Sequence, residues 1–340
     1  MKKKKLNEAI WFDKDGKFNF KGDFENTLAD YLPIDFSEGY ISTRFGSTKN
    51  STKLTPFRKS FFYKKSDAEG VELGTKRGDN YKFEFPIYSI FAAEKSKTKI
   101  VRQFKEMMKQ LKDIDPEERS YKNKSAEVDF MDFIAMLICK QFHIGDAALD
   151  NEYLPIANRT NRKMPLCKTI LIPETSSHNN MNVNMLRTLT NFIPFYAKDV
   201  TIIHNAFLKA EPKNVKVLID TQNRLLPRLN ELKEEEEKRN ELKKNLERLQ
   251  KQWEKDGKVS AHGTDKNYLR HFYGLYNLNK KEFPTTDIAE YLSQFNAKNP
   301  ICILDDVCAT GTTFRNCYDT LLLNGLKPDA CFGLGIFKTE

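Results

Sequence analysis

The chain has 340 residues, 39% hydrophobic and 30% charged, with a formal net charge of +9. That length suffices for one large domain or two ordinary ones with a sizeable core. No apolar run approaches the 18 residues that span a bilayer, and the basic start MKKKKLNEAIWFDKDGKF lacks the apolar stretch of a signal peptide, so a soluble cytoplasmic protein with no membrane partner is expected. A basic protein tends to meet polyanions, nucleic acid among them; the plainer account of the charge is solubility plus a phosphate site, because Lys and Arg are spread along the whole chain. The six cysteines (Cys139, Cys167, Cys302, Cys308, Cys317 and Cys331) form no C-x-x-C pair and show no zinc spacing, which fits a reducing compartment.

Residues 1 to about 90 are rich in Phe, Tyr, Lys and turn formers and form an N-terminal α+β extension of unassigned role. Phe57, Phe61, Phe62 and Tyr63 alternate with Arg58, Lys59, Lys64 and Lys65, a pattern that suits either base stacking on nucleic acid or a half-buried strand with a solvated face. YKFEFPIYSIF (81–91) begins with strand alternation. The spacing of Ile100, Val101, Phe104, Met107, Met108 and Leu111 predicts an amphipathic helix with a basic outer face over 96–113, and a more apolar helix follows over 126–142. KTILIP (168–173) reads as a buried parallel strand closed by proline. A polar loop, PETSSHNN, and a helix from Met181 come next, then a strand DVTIIH (199–204) and a possible third, VKVLID (215–220). This alternation predicts an α/β domain over 91–340 built on an open, mainly parallel sheet.

Residues 223–256 are almost all charge and helix formers. Leu225, Leu229 and Leu232, then Leu242, Leu246, Leu249 and Trp253, recur at spacings of three and four. The stretch predicts a long charged helical insertion projecting from the α/β body. Its apolar seam is either the inner side of a solvated helix or an arm that docks a protein partner or mediates oligomerisation. After a flexible break at 257–267, TDIAEYLSQF (286–295) predicts a short helix capped by Thr286. The strand ICIL, a loop, a helix over 312–323, Gly325 as its C-terminal cap and the strand CFGLGIF complete the chain.

The segment PICILDDVCATGTTF carries the chemistry. A parallel strand delivers its carboxyl end to the ligand crevice of an open α/β sheet. Thr310, Gly311, Thr312 and Thr313 fall where the next helix begins, where free N–H groups and the positive end of the dipole make an anion site. Gly311 lets backbone close on a phosphate without a Cβ in the way. Asp305 and Asp306, expected at a solvated strand end, are suited to accept hydrogen bonds from two vicinal hydroxyls. The loop asks for a diol at one end of its ligand and a phosphomonoester at the other.

Apolar strand, adjacent acids, A-T-G-T-T and helix together resemble the phosphoribosyl pyrophosphate (PRPP) motif of type I phosphoribosyltransferases, over roughly residues 167–340. The resemblance implies that fold, doubly wound. It implies that Asp305 and Asp306 hold the ribose hydroxyls as the catalytic acids, and that Ala309, Thr310, Gly311, Thr312 and Thr313 grip the 5-phosphate. It implies Mg²⁺ bridging pyrophosphate and ribose, reached by the two acids only through ribose or water. In this family the first core strand ends in a pyrophosphate-binding loop, a role that falls here to Ser176, Ser177, His178 and Asn179, with Arg187 two turns further on. Ala309 stands where 6-oxopurine enzymes carry an acidic base, which argues against that substrate class and leaves the general base unassigned. The implied function is transfer of a phosphoribosyl group to an unidentified acceptor. The alternative is a non-catalytic PRPP or nucleotide sensor that binds nucleic acid. The added segments are similar in architecture to phosphoribosyltransferase-fold effectors of bacterial antiphage systems, such as those of some retrons, which would bring a nucleoprotein partner.

Overall fold

The computed structural model describes residues 4–5, 10–12, 18–20, 31–32, 55–66, 70–74, 83–93, 167–174, 200–217, 236–257, 259, 272–308 and 310–339. Within them, eight strands form one mixed sheet: β1 (Thr55–Ser66), β2 (Gly70–Gly74), β3 (Phe83–Ala93), β4 (Thr169–Pro173), β5 (Thr201–Lys209), β6 (Tyr276–Leu278), β7 (Ile301–Cys308) and β8 (Cys331–Thr339). The order across the sheet is β6-β5-β4-β7-β8-β3-β1-β2. The five strands from β5 to β3 run parallel. Antiparallel strands close both sides, β6 beside β5, and β1 and β2 beside β3. The described helices are α1 (Glu236–Asp256), α2 (Ile288–Ser293) and α3 (Thr312–Leu323). None is long and apolar enough to cross a membrane.

The inner strands are continuous apolar runs because both faces of the sheet are covered. Ile303, Gly333 and Ile87 share one register row, and the Cβ that Gly333 lacks would lie 2.7 Å from Phe314 Cδ1 of α3. This is therefore the α3 face, and a glycine there lets the helix approach the sheet. Phe85 on β3 stacks on Tyr318 of α3 with ring centroids 4.2 Å apart. Residues of alternate register, Cys302, Leu304, Tyr88, Phe332 and Leu334, are buried as well.

Nine of the twelve α3 residues are buried, so its polar side chains must find partners inside the protein. They find them in the segment leading into β6. Arg315 Nη2 donates to the Phe272 carbonyl at 2.7 Å, and Asn316 Oδ1 accepts from the Leu275 N–H at 3.2 Å. Thr320 Oγ1 lies 3.0 Å from the Tyr276 carbonyl. The helix thus clamps the edge strand β6 to the layer that carries β7.

Four expectations change. The boundary near residue 90 falls inside β3, which pairs with β8, so the described strands 55–93 are part of the main sheet and not a separate extension. The described part of the charged insertion does not project: Leu246 and Trp253 of α1 are buried in the main core, and Trp253 packs on Phe272 at 4.6 Å between ring centroids. Gln250 Nε2 donates to the Val215 carbonyl at 2.9 Å, and of the two readings of the seam its described part follows the first, the inner side of a helix packed within the chain. The described part of VKVLID, Lys216–Val217, pairs with Phe272–Tyr273 outside the main sheet. Asp287, not Thr286, caps α2, its Oδ1 accepting the Glu290 N–H at 2.9 Å. The helices expected over 96–113 and 126–142, the one from Met181, and residues 218–235 lie outside the described residues.

Candidate functional site

The strand order reverses between β4 and β7. From β4 the chain moves to β5 on one side; from β7 it moves to β8 on the other. In open α/β sheets such a reversal opens a crevice beyond the carboxyl ends of the two strands, where ligands bind. Here the last registered pair between the two strands is Leu171 with Ile303, two residues before Asp305. Beyond it β4 turns to β5: the Glu174 N–H donates to the Phe207 carbonyl at 2.8 Å, and Glu174 Oε2 accepts from the Lys209 N–H at 3.0 Å. Pro173 has no N–H to offer a neighbour.

The crevice is floored by the end of β7. Strand alternation turns Asp305 toward α3 and Asp306 toward the other face. Asp305 Oδ1 accepts the Asp306 N–H at 2.9 Å. Asp305 is half-buried, and Asp306, expected at a solvated strand end, is only 6% exposed. The correction has a plain cause: β7 runs to Cys308, three residues past the expected end at Asp305, so the acids sit within the strand and not beyond it.

Above the acids α3 begins. Gly311 is its N-cap at φ 79°, a left-handed conformation that a Cβ disfavours, and it makes no side-chain cap. Its carbonyl takes the first helical bond, from the Arg315 N–H at 2.9 Å. The N–H groups of the first turn have no acceptor within the helix, and the positive dipole end adds to them. Thr310 and Thr312 share a hydroxyl–hydroxyl bond of 2.8 Å beside this end. Ala309 lies outside the described residues, as do Ser176, Ser177, His178, Asn179 and Arg187, so the expected pyrophosphate loop is represented only by its first residue, Glu174.

Two residues join the site that the sequence did not single out. Tyr276, from β6, is buried, and burial followed by the nearby Cys317 and Asp305 pushes its hydroxyl well above the ordinary tyrosine range, with Thr313 opposing the rise. Glu174 contributes to the same shift and so lies within electrostatic reach. Burial, then the Asp305 charge, likewise raises the Cys317 thiol. Glu174 was visible as the first residue after the strand-ending proline. Tyr276 carried no signal, because a three-residue edge strand has too little length to show a period.

At β5 the register slips: Leu171 faces Ile203, but Pro173 faces Phe207. Asn205 in this bulge has φ 52°. Bulges and left-handed non-glycine residues gather beside active sites, and this one lies on the β4 side of the crevice. Next to it, His204 is held below its ordinary value by burial, opposed by Glu282. A cavity of about 270 Å³ runs past Tyr276, Asn316, Thr320 and Asn324. The Asn316, Thr320 and Asn324 side chains already bond to main-chain groups, so it shows no call for a ligand. Among the described residues no group of three or more His, Cys, Asp or Glu is arranged to hold a metal ion. We find no matching family model, no matching curated protein and no matching solved structure for this chain.

Proposed function

We propose that this chain binds PRPP at the β4–β7 crevice and transfers its phosphoribosyl group to an acceptor, releasing pyrophosphate. The observation that carries the reading is a coincidence of place. The one strand–loop–helix with paired acids and a Thr/Gly-rich turn stands at the topological switch of the sheet, where open α/β sheets bind their ligands.

In this reading the 5-phosphate sits on the N-terminus of α3 between Thr310, Gly311, Thr312 and Thr313. Asp305 and Asp306 accept the ribose hydroxyls. Fixed there, C1 faces the gap between β4 and β7. The acceptor's lone pair forms the new bond to C1 while the C1–O bond to pyrophosphate breaks, through a transition state with oxocarbenium character. The half-buried Asp305 carboxylate favours the positive charge that develops on the ring. Mg²⁺ would neutralise the departing pyrophosphate. The donor set suits it: two carboxylates without a third ligand do not cage a cation, and Mg²⁺ is commonly held by one or two carboxylates together with substrate phosphates. Glu174, at the β4 end of the crevice, would take the acceptor's proton. A release assay tests the proposal. Purified protein with PRPP, Mg²⁺ and a panel of nucleobases, nucleotides and nucleic acids should liberate pyrophosphate with at least one acceptor. Binding of PRPP with no release under any acceptor would leave a sensor in place of an enzyme, and no binding at all would sink both.

A further inference from the structure

β8 carries two glycines of the same register face, Gly333 and Gly335. Neither has a positive φ, so neither is there for its backbone conformation. A glycine inside a strand weakens it and commonly marks a place where another part of the chain comes close. Here two parts do. The Cβ that Gly333 lacks would meet Phe314 Cδ1 at 2.7 Å, and the Cβ that Gly335 lacks would lie 3.1 Å from Cys308 Cβ and 3.4 Å from Cys308 N. Cys308 ends β7, Phe314 belongs to the first turn of α3, and both are fully buried. They are the two residues that flank the turn 309–313.

We propose that Gly333 and Gly335 are positioning residues: together they form the seat of the phosphate turn and set its height above Asp305. The inference rests on the PRPP reading of the crevice. Two residues of strand rise about 6.6 Å, whereas five residues of chain can span about 17 Å. A turn of five residues with both shoulders on this seat must therefore arch away from the sheet. Gly335 is also the register partner of Asp305. One residue thus seats the turn and stands beside the acid, so main chain sets the spacing between the phosphate site and the diol site. That spacing exists before the ligand arrives and need not be ordered on binding. Ser89 closes the seat on the β3 side. Its Oγ would lie 3.2 Å from a Cβ at 335 and, fully buried, has no hydrogen-bond partner among the described residues. A methyl added at 335 can turn that hydroxyl aside by rotating one bond. Cys308 Cβ and N move only with the main chain, so the displacement passes to the turn.

The test is titration calorimetry with PRPP and with ribose 5-phosphate, both with Mg²⁺, beside denaturant unfolding of every variant. Gly335→Ala should weaken both ligands by the same factor, about 3- to 10-fold, the size of one neutral hydrogen bond lost from a displaced turn. Cys308→Gly removes the Cβ that the alanine meets, so in that background Gly335→Ala should change affinity no further. Adding Ser89→Ala to Gly335→Ala should restore nothing. Leu334→Ala lies between the two glycines, buried on the opposite register face, and separates position from stability. It should lower the unfolding midpoint at least as far as Gly335→Ala does and leave both affinities unchanged. If affinity tracks stability in Leu334→Ala as well, the glycines are merely structural and the inference is overturned. Rescue by Ser89→Ala would overturn it too, since the effect would then pass through β3. If wild type binds ribose 5-phosphate and Gly335→Ala binds it equally well, the seat fails while the PRPP reading stands. If wild type binds neither ligand, both fall together. Should Gly335→Ala not fold, Phe314→Leu loosens the other shoulder from the side of the turn and should weaken the same two ligands, with unchanged binding overturning the inference.

Discussion

The two ends of α3 are built oppositely. At its carboxyl end late carbonyls are answered by the turn that follows: the Leu326 N–H donates to the Leu321 carbonyl at 3.0 Å and the Gly325 N–H to the Leu322 carbonyl at 3.2 Å, with Gly325 at φ 99°. This is the Schellman arrangement, and the Asn324 side chain adds a bond to the Thr320 carbonyl at 2.8 Å. At its amino end Gly311 supplies the turn but no side-chain cap. The nearby hydroxyls of Thr310 and Thr312 pair with each other, and the N–H groups of the first turn have no acceptor within the helix. A protein able to close one end of a helix so fully has no structural need to leave the other open. The open end is the one above two carboxylates, at the switch of the sheet. On the proposed reading, the amino terminus is the one that meets the ligand.

That contrast is broken most sharply at the acids. Asp305→Asn with Asp306→Asn keeps shape and removes both charges. A charge-assisted bond contributes roughly 1.5–3 kcal/mol, so the loss of two should weaken PRPP binding more than a hundredfold. Asp306 is 6% exposed, so the single variants belong in the same experiment. Asp305→Asn, beneath α3, should lose ligand with little change in melting temperature. If Asp306→Asn instead lowers the melting temperature while binding persists, that acid serves the fold and the diol is held by Asp305 alone. PRPP should raise the melting temperature of wild type and not of the double variant.

The next effect sits where the first turn of the helix meets the sheet. Gly333→Ala puts a Cβ 2.7 Å from Phe314 Cδ1 and 3.1 Å from Ile87 Cγ1. One of these packed groups must move, at a cost of about 1–3 kcal/mol. Because Phe314 belongs to the first turn, the displacement should reach the open end. Stability and PRPP affinity should fall together, measured by denaturant unfolding and calorimetry on one preparation. A loss of stability with full affinity would show that the open end tolerates a shift of its helix.

Much of this layout was legible. β4, β7 and β8 stand out as apolar runs because a parallel strand buried on both faces has no polar side to alternate with. α3 was bounded correctly because glycines mark both its ends, Gly311 and Gly325, each at positive φ. What escaped is non-local. β3 alternates at its start like an ordinary half-exposed strand, and nothing within 81–91 says that its partner is β8, near the other end of the chain. Helix α1 announced its apolar seam but not its destination: charge dominates its composition, while burial rests on Leu246 and Trp253 and the contact with Phe272. Of the site, the acids and the threonine turn could be read because one continuous segment holds them. Tyr276 could not, since it arrives by way of hydrogen bonds from Arg315, Asn316 and Thr320 that no local pattern encodes.

The smallest effect belongs to the closed end. In Gly325→Ala the new Cβ would lie 3.4–3.5 Å from Ala289, an ordinary contact distance, so crowding is not the issue. The strain comes from φ 99°, which an alanine adopts only at a penalty, roughly 1–2 kcal/mol for a left-handed residue. Part of that is returned because alanine restricts the unfolded chain more than glycine does. A net loss of about 1 kcal/mol is expected, read as a fall in melting temperature of about 2 °C for a chain of this size. Gly325→Asn should lose less, since asparagine visits this region more readily. Neither variant should alter affinity for PRPP or ribose 5-phosphate, because fraying the last turn leaves the first turn on its sheet contacts at Gly333. If affinity drops in step with stability, the helix transmits strain along its whole length, and its two termini are one device and not two.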